Sequence, residues 1–196
     1  QIYGFVGLFF FGVATQMLPR FMGQPLRARG ALSTGGILLC ASVIGRLSIQ
    51  PFGPGMLRDG LMLLTAIVGL LGALLTVLPF ALTAMSSPRR WEAWQRLVLV
   101  GFGCWILGSI ASFVGTLGLA AGQMLIAQAL NELVIVAGLW GFAACVTLAV
   151  GFRIFPNFLL LQPMRTRSMA GATVLYGLGL ALVGAGWSGQ AVSDDQ

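Results

Sequence analysis

The 196-residue chain contains no histidine and no lysine, and charged residues make up only 8% of it. Without imidazole, neither histidyl ligation of heme nor a histidine copper site can be assembled from these residues alone. The three cysteines, Cys40, Cys104 and Cys145, each lie alone in a different apolar stretch, with no Cys-x-x-Cys pair. That spacing argues against a zinc or dithiol motif and favours small apolar side chains that pack. Methionines such as Met17, Met22, Met62, Met85 and Met124 are scattered, without the paired spacing of a thioether copper site. The Gly-x-Gly pairs, Gly101 with Gly103 and Gly177 with Gly179, fall inside apolar segments and not between a strand and a helix, so they do not form a phosphate-binding loop. No catalytic constellation is present.

What the chain has is apolar length. Hydrophobic residues make up 58% of it, and runs such as Leu61 to Met85 and Leu133 to Phe152 reach the roughly 20 residues that a helix needs to cross a bilayer. The fold class is therefore all-α: a polytopic membrane helix bundle. Six spans are expected, at about 2–18, 31–49, 61–85, 97–117, 130–152 and 169–187, in one membrane domain covering residues 1–196. Apolar segments recur and no small-residue cleavage site follows the first, which argues against a secretory signal peptide. The chain opens at Gln1, almost inside an apolar segment and without an initiator Met, so it is expected to be a fragment of a longer protein. Pro51, Gly53, Pro54 and Gly55 mark the turn between spans two and three, and the cluster from Gly118 to Gln123 divides spans four and five. Pro19 and Pro156 are expected to stop their helices, because proline lacks a backbone donor and its ring clashes with the preceding turn.

The arginines orient the bundle. Arg20, Arg27 and Arg29, then Arg89, Arg90 and Arg96, then Arg153, Arg165 and Arg167 follow spans one, three and five, and only Arg46 and Arg58 belong to the other side. The positive-inside rule makes the three Arg-bearing loops cytoplasmic and both chain ends external. The net charge of +6 is thus a topology signal, and nucleic acid is not an expected partner. The expected partners are the lipid bilayer and other membrane-protein chains, copies of this one included. Trp91 and Trp94, set among charges in the segment from Arg89 to Arg96, read as a short interfacial helix with its rings at headgroup level.

The chain also repeats itself. Gly4, Phe5, Val13, Pro19 and Phe21 recur at a constant offset as Gly141, Phe142, Val150, Pro156 and Phe158; after one inserted residue, Gln24, Pro25, Arg27 and Arg29 recur as Gln162, Pro163, Arg165 and Arg167. Copies beginning near residues 1 and 138 make span one equivalent to span five, so each unit holds four helices and the copies are parallel. Gly101, Gly103, Gly108 and Ser112 in span four, and Gly177, Gly179, Gly184 and Gly186 in span six, are expected to let backbones approach closely.

Two stretches, 1–29 and 138–167, resemble the NnrS family, heme- and copper-containing bacterial membrane proteins of the nitric oxide response. They resemble more distantly the heme-copper oxidase core subunit, which is built from parallel four-helix units. The resemblance implies a bacterial inner-membrane protein of nitric oxide or respiratory metabolism that uses heme or copper in its full-length form. It also marks a departure. The family characteristically carries a His just upstream of the first Gly-Phe, which would fall before Gln1, and some members carry one where this chain has Gln16. No metal ligand and no cofactor can therefore be assigned within residues 1–196.

Three polar residues remain candidates for cofactor or solute contact: Gln16, Glu132 and Arg153. A carboxylate at Glu132, beside Asn131 and four residues after Gln128, is costly near hydrocarbon unless paired or hydrated. It reads either as a proton- or cation-binding group or as an interfacial acid favoured by a helix N-terminus. Arg153, at the other end of that span, reads either as a contact for a propionate or lipid phosphate or as a snorkelling cation at a helix C-terminus. Besides the NnrS-like role, the residues allow a transporter or channel built on parallel repeats, with Glu132 and Arg153 along its path, or a ligand-free structural or assembly subunit.

Overall fold

The computed structural model describes residues 2–53, 55–86, 92–121, 128–159 and 166–193. Every regular element among them is a helix: α1 (Ile2–Met22), α2 (Arg29–Ile49), α3 (Met56–Met85), α4 (Ala93–Ala120), α5 (Gln128–Ile135), a π-helical segment (Val136–Ala144), α6 (Cys145–Phe158) and α7 (Thr166–Ser193). The last turn of α5, the π segment and α6 follow one another without interruption, so residues 128–158 make one rod. Four stretches are long and apolar enough to cross a membrane: Arg29–Ile49, Met56–Met85, Trp94–Ala120 and Gln128–Ile154. In α1 and α7 the apolar stretches are shorter, Gly7–Met17 and Ala170–Val183. The outer surface carries large apolar side chains, among them Ile37, Ile44, Leu64, Leu71, Leu107 and Leu178, as in a bundle that meets hydrocarbon or further apolar helices.

The α2–α3 pair packs through small residues. The backbones meet at Gly35 and Gly72, and Gly45 lies against Thr65 while Gly69 lies against Ser42. Buried threonines cost little here because each hydroxyl donates to a carbonyl of its own helix: Thr65 to Met62 (2.8 Å), Thr76 to Ala73 (2.8 Å) and Thr83 to Pro79 (2.6 Å). Of the glycines singled out in the sequence, Gly101 makes such an approach toward Cys145 and Gly141 toward Cys104, whereas Gly103, Gly177 and Gly179 have open space where a side chain would be. Close helix approaches therefore occur both at α2–α3 and between α4 and the 128–158 rod, the latter through Gly101 and Gly141.

Rings fill the centre of the bundle. Phe11 stacks on Phe80, Phe102 and Phe142, and Trp105 meets Phe11 edge-on, with centroids 5.3 to 6.3 Å apart. These contacts also fix directions. Gly7 faces Trp105 and Phe11 faces Phe102, so α1 runs antiparallel to α4. Gly141 faces Cys104, Gly101 faces Cys145 and Arg153 reaches Glu92, so the 128–158 rod also runs antiparallel to α4. The first and fifth rods thus share one direction.

Two expectations need correction. Pro19 does not stop α1, which continues to Met22, and α6 likewise passes Pro156 to end at Phe158. The stop of α1 is a Schellman turn: Gly23 adopts φ 65°, Gln24 N–H donates to the Pro19 carbonyl (3.2 Å) and Gly23 N–H to that of Arg20 (3.4 Å). Nor does the segment around Trp94 form a separate interfacial helix. It opens α4, and Trp94 is only 2% exposed, with Nε1 donating to Glu92 Oε2 at 2.7 Å. Trp91 lies outside the described residues.

Candidate functional site

The two ends of the bundle differ in charge. At one end Arg20, Arg27, Arg29, Arg96 and Arg153 are all exposed. Two contacts tie this end together: Arg27 N–H donates to Thr83 Oγ1 at the end of α3 (3.0 Å), and Arg153 Nη1 lies 3.5 Å from Glu92 Oε2 at the start of α4. Arg153 therefore serves an exposed ion pair. Gln16 is exposed on α1, and Glu132, half-buried near the start of α5, accepts a hydrogen bond from Gln128 Nε2 one turn earlier (2.7 Å). Glu132 and Arg153 sit 21 residues apart on one rod, roughly 30 Å along its axis. The three candidates read from the sequence do not converge.

A cavity of about 230 Å³ lies instead nearer the Arg-poor end, between α2, α3, α4 and α5. On α2 its lining runs from Gln50, just past the helix end, to Leu39 near the helix midpoint, about 16 Å along the axis. Arg46 reaches across it, Nη1 donating to Ser112 Oγ at 3.0 Å and Nη2 to Thr116 Oγ1 at 3.2 Å, both on α4. Its Nε is buried without a hydrogen-bond partner among the described residues. Ser42, Gln50, Ser109 and Asn131 complete the polar lining, and no Asp or Glu lines the cavity. Two of these hydroxyls are already committed as donors, Ser42 to the Thr65 carbonyl (2.7 Å) and Ser109 to that of Trp105 (2.9 Å). The cavity therefore offers a guanidinium and two amide side chains as donors, and its charge is positive.

Sequence alone marks Arg46 only as a topology exception and Ser112 only as a small packing residue. A signal was present: Ser109, Ser112 and Thr116 recur at helical spacing and put three hydroxyls on one face of α4. Their pairing with an arginine on α2 is a tertiary fact that one-dimensional spacing does not carry.

The residues present do not fit heme or copper. The space between the helices is occupied by the Phe11, Phe80, Phe102, Trp105 and Phe142 rings, and no group of three His, Cys, Asp or Glu able to hold a metal occurs among the described residues. Comparison with protein-family models, with curated proteins and with solved structures finds no match to this chain.

Proposed function

We propose that the chain is a multi-pass membrane domain, with six crossings and a parallel four-helix repeat, that binds a small polar solute and passes it toward the middle of the bundle. One observation carries this reading: the Arg46 cavity is lined along α2 from Gln50, just past the helix end, to Leu39 at its midpoint, inside an otherwise apolar bundle. An ionisable group in such a setting is expensive and is characteristic of solute pathways. A ligand-free structural subunit would have no use for a lined polar cavity at that depth.

The test is water access at Ser109. In a background lacking Cys40, Cys104 and Cys145, Ser109→Cys should react with a small water-soluble thiol reagent in the reconstituted protein. Ile110→Cys, on the exposed apolar side of α4, should react far more slowly. Equal slow rates would mean a dry cavity and would sink the solute-binding reading.

The NnrS-like role stands as a second reading, favoured by the shared direction of the first and fifth rods, which suits a parallel repeat. In that reading the protein lies in a bacterial inner membrane, serves nitric oxide or respiratory metabolism, and pairs with further membrane helices, copies of itself included. Any heme or copper would be held by histidines that residues 1–196 do not contain. An optical spectrum of the purified full-length protein decides it, since a Soret band reports heme.

A further inference from the structure

We propose that the solute of the Arg46 cavity is a small oxygen-bearing anion of the carboxylate type, drawn from solution; this rests on the solute-binding reading above. Arg46 lies only three residues from the end of α2, close enough for a long side chain to snorkel outward. It turns inward instead and is held by two hydroxyls of α4. Hydroxyls satisfy donors but do not neutralise charge, and no lining residue is a carboxylate. The cation is therefore left without a counter-charge in an apolar bundle, where a compensating anion has its greatest effect.

The donor geometry narrows the class. A guanidinium carries five N–H groups, and two are engaged by Ser112 and Thr116. Three remain, and because Nε is closed off, one free N–H on each Nη is left to donate to the two oxygens of a carboxylate. The Gln50 and Asn131 side chains can supply neutral donors nearby. Thr116 Oγ1 donates to the Ser112 carbonyl (2.8 Å), so its lone pairs face Arg46 and the cation is fixed in position before any ligand arrives. The volume of about 230 Å³ equals roughly eight water volumes, which suits an anion of a few non-hydrogen atoms and excludes large cofactors. Cations are repelled by the same field.

The experiment uses the reactive Ser109→Cys protein in liposomes of neutral lipid at pH 8, with acetate as probe and acetamide as its uncharged isostere. Bound acetate should slow labelling by the factor 1 + [L]/Kd, about elevenfold at ten times Kd, while acetamide leaves the rate nearly unchanged. Adding Arg46→Gln should abolish protection without abolishing labelling, and Arg46→Lys should weaken it, because an ammonium cannot make the bidentate contact. Equal protection by acetamide, or protection that survives Arg46→Gln, would overturn the anion assignment while leaving solute access intact. Protection that follows anionic-lipid content and ignores added acetate would assign Arg46 to a lipid headgroup and overturn it too. Absence of any labelling at Ser109→Cys is the separate result that fails the underlying reading.

Discussion

Gly35 and Gly72 bring α2 and α3 into backbone contact: a Cβ on Gly72 would stand 2.9 Å from the Leu39 amide nitrogen and 3.0 Å from the Gly35 carbonyl oxygen. Neither obstacle is a flexible side-chain tip, so the helices would have to separate. Gly72→Ala is expected to destabilise the protein by about 1–3 kcal/mol, the usual range for overpacking a close contact. Gly103 on α4 is the control. It is exposed and has no atom within 4 Å of its added Cβ, so Gly103→Ala should be neutral or stabilising by up to about 1 kcal/mol through helix propensity. Unfolding of both variants in the same detergent by denaturant titration measures the difference; equal stabilities would show that the α2–α3 contact is looser than its geometry.

Element positions were legible because apolar run length and punctuation act locally. Pro51, Gly53 and Gly55 do separate α2 from α3, and the break after Gly118 falls between Ala120 and Gln128. Helix ends were less legible. A proline inside a helix forfeits one backbone bond, and α1 tolerates Pro19 because the chain finds its stop four residues later, at Gly23, where a left-handed residue closes the Schellman turn. Side-chain environments were least legible. Trp94 looks interfacial by composition, yet its position around α4 turns it into the bundle, where Glu92 satisfies its N–H. Gly103, Gly177 and Gly179 have the right type but meet nothing, whereas Gly35, Gly69, Gly72 and Gly101 face a partner helix.

The Glu92 carboxylate serves two groups, and the consequences of removing each are unequal. It accepts from the buried Trp94 indole at 2.7 Å, and it meets Arg153 at 3.5 Å with both charged side chains about half exposed, 42% and 52%. Exposed pairs contribute about 0–1 kcal/mol, so Arg153→Ala should change stability by less than about 1 kcal/mol. Glu92→Ala also strips Trp94 of its acceptor, while the bond from the residue 92 backbone N–H to Gln95 Oε1 (2.9 Å) at the start of α4 is kept. It should cost about 1–3 kcal/mol, dominated by the unsatisfied indole. A double-mutant cycle should therefore return a coupling below about 1 kcal/mol; a larger coupling would make the ion pair a structural lock between α4 and α6.

The direction of the chain through the bundle gives the remaining test, and it bears on the proposed repeat. Arg20 lies in the last turn of α1 and Arg153 five residues before the end of the 128–158 rod, both rods run antiparallel to α4, and the contacts Arg27 to Thr83 and Arg153 to Glu92 gather the arginines at one end. If that end is cytoplasmic, as the distribution of arginine requires, cysteines replacing Arg20, Arg96 or Arg153 should react with an impermeant reagent only after cells are opened. Cysteines replacing Phe52 or Ala121, which lie exposed at the opposite ends of α2 and α4, should react in intact cells. Labelling of Arg96→Cys from outside would reverse the orientation. Labelling of Arg20→Cys and Arg153→Cys from opposite sides would end the parallel repeat itself, since two copies with the same direction cannot present matching arginines on different faces. Sequence pairs Phe142 with Phe5, but the ring that stacks on Phe142 belongs to Phe11, at a centroid distance of 5.4 Å. A rotation relating the copies must therefore place residue 11, and not residue 5, at the level of residue 142, or else include a shift along the axis. Sidedness tests direction independently of that shift, which is why the arginine pair decides the matter more cleanly than superposition.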